Sequence, residues 1–588
     1  MQTAEKRLVL ALTICLAVWL SSARTVARAE GLESDKVLQP QGLNHVGIYA
    51  LRRIEPALTG SGVKFAVICR SITYLNGEPQ NDYRPSVAHK CFRAEQLTFH
   101  DLGQLPAGVS LHSTAICSIL LGEDPDAFNL HLGPFHYQGV APASKADIYE
   151  FWYFLINNVF PHVPPEADVV TASMGSQFEH SWTRGIESLA EHYGLLVVAG
   201  IGNGSSASDP PLYPGAGPNV IGVGVVNSVN TENLATNLAH FALAYPQYSS
   251  FGPTADGRCK PDIVAPGNCL AAGTTDPDLY ELTGNWSSFS TPIAAGAVGL
   301  LVQKAKQQPS LSLALSPQSG NCVMKAILMN SAVKLPYWHK GRLGSDDDHV
   351  VPLDYIQGAG MLNAVGADQH LVAGQSGPGE VSPTGWDLNQ LDRPRTLGNV
   401  YSITVAEPAD KFITVTLAWN RHYRRVYPFE PDTAKDSNLR LELWAINPEN
   451  RDNDRLLDYS DSLVDNVEHL YCRALADYTS YEIIVLYSDL DERPQTDATQ
   501  RYGLAWTVGQ SQDSDNIFWH DLNADGIVNE LDLAALLDNW IDSVKSPGSY
   551  LLGDVNTDGA INVDDLQILL DHKNRKADWL TQQDNKSE

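Results

Sequence analysis

Four short apolar runs between residues 63 and 227 are the feature that most restricts how this chain can fold. Each run is rich in β-branched residues and nearly continuous in apolarity, as parallel strands buried on both faces are. The segments between and after them carry helical patterns, such as HSTAICSILLG, WTRGIESLAEHYG and NCVMKAILMNSAV. This alternation predicts an α/β fold with a doubly wound, mostly parallel sheet over residues 30–375. The predicted strands are VKFAVI, ADVVTASMG, GLLVVAGIG and NVIGVGVVN.

Two further regions follow this sheet, as expected for a chain of 588 residues. Residues 380–510 hold regularly spaced strand patterns with polar turns between them, which favours an antiparallel β-sandwich. Its clearest strand patterns are FITVTLAW, LRLELWAI, SYEIIVLY and RYGLAWTV. Residues 511–575 contain an internal repeat and predict a small helical module, and residues 576–588 form a polar tail.

The first 29 residues have the pattern of a signal peptide. A basic pair, Lys6-Arg7, precedes an apolar run over residues 8–20, and residues 27–29 offer an A-x-A cleavage site. We therefore expect a secreted or cell-surface protein with no membrane span after cleavage, and an uncleaved membrane anchor is the alternative. The formal net charge of −29 argues against nucleic acid as a partner and suits a protein that binds cations.

The seven cysteines outside the predicted signal are scattered along the chain. An odd number cannot all pair within one chain, and no zinc-type spacing is present. Cys259 and Cys269 flank a turn-rich loop, so their disulfide is the first pairing to test.

A twelve-residue pattern occurs twice near the C-terminus. DLNADGIVNELD begins at Asp521, and DVNTDGAINVDD begins 33 residues later at Asp554. Each copy has oxygen-bearing side chains at positions one, three, five, nine and twelve, and glycine at position six. Calcium takes about six to eight oxygen ligands, so the repeat predicts two calcium-binding loops of EF-hand type. The alternative for a single copy would be an ordinary polar turn.

A serine at the start of an apolar helical pattern is the strongest catalytic signal. In TGNWSSFSTPIAAGAVGLL a polar turn runs into an Ala/Gly-rich segment, with Ser288 at the junction. Pro292 is expected near the first helical turn, where a missing N–H costs little. The positive end of the helix dipole can stabilise an oxyanion there. The simpler interpretation is a buried helix with a serine at its start.

Six motifs in chain order resemble those of subtilisin-like serine peptidases, over about 330 residues. LHSTAICSILLG is similar to the helix start that carries the family's histidine, and VVTASMGS to the strand that lines its substrate cleft. VVAGIGNGS is similar to the segment of the oxyanion asparagine. SSFGPTADGRCKPDIVAPG and WSSFSTPIAAG resemble the segments before and around the nucleophile, and GAGMLNA resembles the closing motif of the domain.

This resemblance implies cleavage of peptide bonds through a serine acyl-enzyme, with a protein or peptide as substrate. Ser288 matches the nucleophile, His112 the general base, and Asn203 the side-chain donor to the oxyanion. The substrate cleft is expected at Ser173, Met174 and Gly175.

One residue departs from the family's catalytic triad. The family's first strand ends in an aspartate that orients the histidine, whereas here the strand reads FAVICRSI and Cys69 stands at that position. Three hypotheses follow. Cys69 is an inert buried thiol, or Asp82 or Asp101 reaches His112 instead, or Cys69 is a thiolate favoured by Arg70 and by protonated His112.

The C-terminal repeat resembles a dockerin, a module that binds cohesin domains. The resemblance implies calcium as the bound ion and a cohesin-like protein as a partner, and the alternative is a calcium-stabilised end-cap. Positions ten and eleven of the loops, which select the cohesin in many dockerins, depart from the usual small hydroxyl residues. The implied calcium ligands are Asp521, Asn523, Asp525, Asn529 and Asp532, then Asp554, Asn556, Asp558, Asn562 and Asp565.

Two functions of different classes agree with the sequence. The first is a secreted subtilisin-like serine endopeptidase in which Cys69 replaces the triad aspartate, with a calcium-dependent docking module. The second is a catalytically inactive pseudopeptidase that binds peptides or acts as a scaffold in an extracellular or cell-surface assembly.

Overall fold

The computed structural model of the chain describes most residues after the predicted signal, which itself lies outside the described residues. The ranges are 38–70, 74–75, 78–79, 81–103, 107–129, 133–204, 210–226, 249–335, 338–342, 345, 347–393, 395, 398–490, 499–512, 520–523, 525–538, 540, 555 and 561–577.

A seven-stranded parallel sheet forms the centre of the first region. Its strands lie in the order β14-β13-β12-β11-β2-β10-β6, and each neighbouring pair is parallel. Four smaller sheets, β1-β9-β8, β3-β4, β5-β7 and β15-β16, belong to the same region. The strands of this region are β1 Leu38–Gln39, β2 Lys64–Cys69, β3 Tyr74–Leu75, β4 Glu78–Pro79, β5 Asn81–Arg84, β6 Leu97–His100, β7 Ala107–Val109, β8 Glu123–Asn129, β9 Gly133–Gln138, β10 Lys145–Glu150, β11 Val169–Ala172, β12 Leu196–Gly200, β13 Ile221–Val226, β14 Ile263–Pro266, β15 Leu270–Ala272 and β16 Tyr280–Leu282.

Helices cover this sheet, and all three helical patterns named from the sequence correspond to helices whose ends lie within three residues of the pattern. The helices are α1 Gly42–His45, α2 Ile48–Ile54, α3 Leu111–Leu121, α4 Phe151–Phe154, α5 Ser181–Tyr193, α6 Ser287–Gln307, α7 Gly320–Asn330, α8 Ala364–Ala373, α9 Glu530–Asp538 and α10 Val563–Asp571. A π-helix, Leu155–Val159, continues α4, and 3-10 turns occur at Pro309–Leu315 and Arg451–Asn453.

Helix α6 packs directly on the central sheet, and its sequence explains how it can. All but the last two of its 21 residues are buried. Gly299 lies against the Phe65 ring of β2, where a Cβ atom would overlap the ring. The Ala/Gly-rich composition therefore allows the helix that carries Ser288 to lie close to the strands.

Two mainly antiparallel sheets form the second region. The orders are β17-β19-β24-β21-β22 and β18-β25-β20-β23, and only the β17–β19 pair is parallel. One apolar core is shared by both sheets, with Leu441 and Ile483 from the first and Val415 and Leu504 from the second. The strands are β17 Gly379–Val381, β18 Thr384–Asp392, β19 Gly398–Thr404, β20 Phe412–Trp419, β21 Leu439–Ile446, β22 Arg455–Ser460, β23 Val467–Arg473, β24 Ser480–Tyr487 and β25 Thr499–Gly509.

The second region packs closely on the first through α7. Asn321 of α7 and Asn420 exchange side-chain amide hydrogen bonds of 2.9 and 3.1 Å, and both are buried. The backbone N–H of Cys259 donates to Asp465 Oδ1 at 2.8 Å. Because buried polar groups are costly to leave unpaired, these bonds specify how the two regions fit together.

Cys259 and Cys269, the first pairing to test from the sequence, do not form a disulfide. All seven cysteines in the described residues have free thiols. The Cys259 sulfur donates to the carbonyl of Leu353 at 3.6 Å, whereas Cys269 packs beside Gly42 of α1. The turn between them therefore directs the two thiols into different parts of the core. Among the described helices, none is both long and apolar enough to cross a membrane.

Candidate active site

The seven residues that sequence analysis assigned to the active site lie around one cavity of about 230 Å³. Strands β2, β11 and β12 are parallel, so their carboxyl ends meet at one edge of the sheet, where ligands bind in open α/β folds. The first turns of α3 and α6 face the same edge. The cavity is lined by Ile68, Cys69, Arg70, His112, Ser173, Met174, Gly175, Gly200, Gly202, Asn203, Leu212, Ser287 and Ser288.

Ser288 is held by two hydrogen bonds to Ser173 in the facing wall of the cleft. Its hydroxyl donates to the Ser173 carbonyl at 3.4 Å, and its own carbonyl accepts from Ser173 Oγ at 2.8 Å. Pro292 is the sixth residue of α6, not a first-turn residue as expected. Because proline has no N–H, it leaves the Ser288 carbonyl without its helical partner. The Ser173 hydroxyl supplies the missing bond.

Asn203 is oriented by Ser287, the residue before the predicted nucleophile. Its Oδ1 accepts from the backbone N–H and from the hydroxyl of Ser287, both at 2.9 Å. The Ser287 hydroxyl in turn accepts from the N–H of Gly202 at 3.2 Å. With the carbonyl side of the amide bound in this way, the Asn203 NH₂ group is left to donate toward the cavity that Asn203 lines.

His112, the predicted base, lies in a less polar part of the site. Its ring is 5.9 Å from the Phe289 ring, centroid to centroid. Within the described part of the chain, no hydrogen bond or ion pair to His112 is found. Burial lowers the pKa of His112 to about 4, because the imidazolium loses hydration there.

Cys69, at the end of β2, is buried against the same site. Burial raises the pKa of its thiol to about 11, with the Ser113 hydroxyl opposing that shift in part. These surroundings disfavour the thiolate hypothesis, because a buried thiolate would be poorly solvated.

The two carboxylates suggested as substitutes lie away from the cavity lining. Asp101 accepts from the Tyr83 hydroxyl at 2.7 Å and pairs with Arg84 at 2.8 Å. Asp82 lies on β5 beside Gly108 of β7. A third carboxylate, Glu150, is in register with Cys69 across the sheet, but both of its oxygens accept backbone N–H groups of α4. None of the three lines the cavity with His112.

The first repeat brings acidic side chains together, as its pattern predicts. Asp532 is fully buried, and Asp521 is nearly so. Burial and the negative charge of Asp532 raise the pKa of Asp521 to about 7. Buried carboxylates that repel one another suit a bound cation, so the donor set fits calcium.

The loop also contacts the first region of the protein. Asn44 of α1 donates to the Asp521 carbonyl at 2.8 Å. Asn523 and Asp525 are bonded to each other at 2.9 Å, and Asn529 accepts from Leu531 N. In the second loop, Asp565 is buried and accepts hydrogen bonds from the backbone N–H groups of Val555 and Asn562. Three other predicted ligands of this loop lie outside the described residues: Asp554, Asn556 and Asp558.

A separate cluster, Asp348, His349 and Asp458, brings three ligand atoms within 4.8 Å of one another. Lys340 lies 3.3 Å from Asp458 and donates to the Asp348 carbonyl. Its ammonium group therefore already supplies the positive charge that a metal ion would bring.

Two residues of the cleft, Ser287 and Arg70, were not predicted from the sequence to position or bind anything. Ser287 orients Asn203, and its adjacency to Ser288 was the only signal. Arg70 lines the cavity with an exposed side chain. From the sequence, Arg70 is notable only as a neighbour of Cys69, because which residues its side chain contacts depends on the fold.

Comparison with known proteins agrees with this geometry. Residues 59–366, just over half of the chain, match the Subtilase family. The chain belongs to the subtilase family. This membership confirms the α/β, doubly wound fold with its mostly parallel sheet.

Relatives of this subtilase come from bacteria and an archaeon. Serine protease AprX of Bacillus subtilis is 28% identical over 212 residues, which cover 32% of this chain and 45% of AprX. C5a peptidase of Streptococcus pyogenes is 37% identical over 118 residues, 20% of this chain and 9% of the peptidase. Pyrolysin of Pyrococcus furiosus is 28% identical over 168 residues, 24% of this chain and 12% of pyrolysin. The matches thus span less than half the length of each relative.

Proposed function

We propose that the protein is a secreted serine endopeptidase that cleaves peptide bonds through an acyl-enzyme on Ser288. The observation that carries this proposal is the convergence of Ser288, His112 and Asn203 on one cavity at the carboxyl edge of the sheet. A nucleophile, a base and an oxyanion donor are the groups that acyl transfer requires.

Each group has a distinct role in the proposed reaction. Ser288 Oγ attacks the carbonyl carbon while His112 takes its proton, and His112 then returns that proton to the leaving amine. The Asn203 NH₂ group and the backbone N–H of Ser288 donate to the oxyanion that forms. Residues 173–175 bind the peptide alongside Ser288. Cys69 stands at the usual aspartate position and lines the same cavity without a negative charge.

A fluorophosphonate probe tests this proposal because it reacts only with an activated serine. We expect labelling of the purified full chain, and none of the Ser288→Ala variant. Ser290→Ala is a matched control: this serine lies on the same helix, and its hydroxyl bonds to the Ser287 carbonyl. Equal labelling of wild type and Ser288→Ala would contradict the proposal.

A second function, a pseudopeptidase that binds peptides without cleaving them, is favoured by one observation. His112 has no carboxylate partner in the described part of the chain, and its lowered pKa reflects burial alone. A base that is not oriented activates the serine poorly. A wild-type protein that binds peptides but takes up no probe, together with a Cys69→Asp variant that does take it up, would favour this function over the endopeptidase.

We also propose that residues 511–575 bind calcium and dock on a cohesin-like protein, with residues 380–510 as a β-sandwich that supports the fold. The residues that would hold calcium in the first loop are Asp521, Asn523, Asp525, Asn529 and Asp532. Calcium there would supply positive charge that offsets repulsion among these carboxylates.

Limited proteolysis of the full chain with and without EDTA tests the calcium proposal. Chelation should open the region after residue 511 to cleavage, and Asp532→Ala should open it even with calcium present. Asp571→Ala is the control, since Asp571 lies exposed at the end of α10, outside both loops. An identical cleavage pattern with and without EDTA would rule calcium binding out as a stabilising factor.

A further inference from the structure

One residue of the catalytic cleft, Arg70, carries a positive charge that the proposed reaction does not use. Arg70 follows the last residue of β2, and its exposed side chain lines the same cavity as His112 and Ser288. Its Cζ atom lies 5.7 Å from the centroid of the Phe151 ring. A cation over an aromatic face is attracted by the ring electrons, so this contact restricts where the guanidinium lies.

Among the residues that the structure describes, the rest of the cavity lining carries no formal charge. Its other members offer hydroxyl, amide, thiol, backbone and apolar groups, together with the imidazole of His112. Because the pKa of His112 is lowered to about 4, that imidazole is neutral at neutral pH. Arg70 is therefore the one charged side chain among the described residues that line the cleft.

Two carboxylates of this part of the fold have other partners. Glu150, across the sheet from Cys69, accepts N–H groups of Trp152 and Tyr153 at 3.0 and 2.9 Å. Asp101 pairs with Arg84. Arg70 forms no ion pair with any residue that the structure describes. Among the described residues, its donors therefore have no partner of opposite charge.

We propose that Arg70 determines specificity by binding a carboxylate of the peptide substrate. A guanidinium offers a planar fork of donors that matches a carboxylate in two parallel hydrogen bonds. The protein as a whole has a net charge of −29 and repels acidic peptides at long range, so a preference for acid has to come from a local group of this kind. The inference rests on the proposed function, because it assumes that the cleft binds peptides.

The test measures binding, so that it does not depend on turnover. Fluorescein-labelled peptides are titrated with the full-length Ser288→Ala protein, and fluorescence anisotropy gives the dissociation constants. One series carries Glu or Gln at each position in turn with an amidated C-terminus. A second series carries Gln throughout with a free C-terminal carboxylate. These two arms distinguish a side-chain carboxylate from a terminal one.

We expect one carboxylate position to tighten binding by about tenfold at 0.15 M salt, the effect of ~1.4 kcal/mol. Adding Arg70→Gln should reduce that ratio to about one, and Arg70→Lys should retain part of it, because lysine keeps the charge but not the fork. Arg70→Glu should instead favour Lys at the same position. Arg425→Glu, an exposed arginine on the second region, is the matched control and should leave the ratio unchanged.

The outcomes separate this inference from the function on which it rests. Peptide binding with a carboxylate preference that survives in Arg70→Gln would overturn the role of Arg70 alone, as would binding with no preference in wild type. Failure of the cleft to bind any peptide would overturn both. A ratio that falls in Arg70→Gln while circular dichroism shows an unchanged fold supports the assignment.

Discussion

The two sides of the cleft are built from different kinds of interaction. On the nucleophile side, Ser287 bonds to Asn203 and Ser288 bonds to Ser173, through hydrogen bonds between 2.8 and 3.4 Å. On the base side, the His112 ring lies near the Phe289 ring, and the Cys69 thiol is protonated at neutral pH because burial raises its pKa to about 11. Oxyanion stabilisation and base activation are separable contributions to catalysis, and this chain provides for the first far better than for the second.

The difference indicates which step limits the reaction. A set of fixed donors lowers the energy of the tetrahedral intermediate whether or not the base is well oriented. A neutral histidine without a carboxylate partner can still accept a proton, but forming the imidazolium costs more free energy than it does beside a carboxylate. We therefore expect slow turnover limited by proton transfer, in a site that still stabilises the oxyanion.

The largest expected effect comes from restoring a carboxylate on the base side. Cys69→Asp should raise turnover of a peptide substrate by about 10²–10⁴-fold, because the carboxylate would orient His112 and stabilise its protonated form. Steady-state hydrolysis of a fluorogenic peptide measures this change. Cys69→Asn is the control: it has the same shape without the charge, and it should gain little. An Asp variant that folds but is no faster than wild type would mean that the base side is not limiting.

A slightly smaller effect is expected on the nucleophile side. Asn203→Ala should lower turnover by about 10²–10³-fold, because a donor to the oxyanion is lost. Asn203→Asp keeps an oxygen acceptor for Ser287 but removes the N–H donor, so it separates anchoring from donation. If Asn203→Asp retained wild-type turnover, Asn203 would serve only to anchor Ser287.

The smallest effect is a displacement of the pH profile. Burial lowers the pKa of His112 from 6.5 to about 4, so the neutral, base-competent ring persists down to about pH 4. The acid limb of kcat/KM should therefore fall near pH 4. In Cys69→Asp it should move up toward neutrality, because a nearby negative charge favours the protonated ring. An acid limb near 6.5 in wild type would show that His112 is hydrated in solution.

The lowered pKa of His112 also makes the free energy of unfolding depend on pH. Between about pH 6.5 and pH 4, His112 is protonated in the unfolded chain but neutral in the folded chain. The free energy of unfolding should therefore decrease as the pH falls through that window. His112→Gln, which cannot titrate, should remove this part of the pH dependence.

The parts of the fold with strong local patterns could be predicted from the sequence. Phe412–Trp419 and Leu439–Ile446 have the bounds that their apolar patterns indicate, since both strands are buried over most of their length and apolar residues mark that burial in the sequence. The π-helix at Leu155–Val159 was not predicted, because its signal does not differ from that of an ordinary amphipathic helix.

The site was less predictable where it depends on residues far apart in the chain. Ser288, His112 and Asn203 stand in recognisable motifs, so their meeting at one cavity could be expected. The bond from Ser173 to the Ser288 carbonyl spans 115 residues, and nothing in either motif indicates it. The Cys259–Cys269 pairing suggested by the sequence is likewise absent, because closeness in sequence does not determine the direction of two buried thiols.

Pro292 has a consequence for when the protein becomes reactive. The proline leaves the nucleophile's own carbonyl to be held by Ser173, which was synthesised more than a hundred residues earlier. An isolated α6, or a nascent chain in which β11 has not yet joined the sheet, lacks that support. The hydrogen bonding at Ser288 is therefore completed only by long-range assembly, so the timing of the proposed reactivity is tied to tertiary folding and not to helix formation.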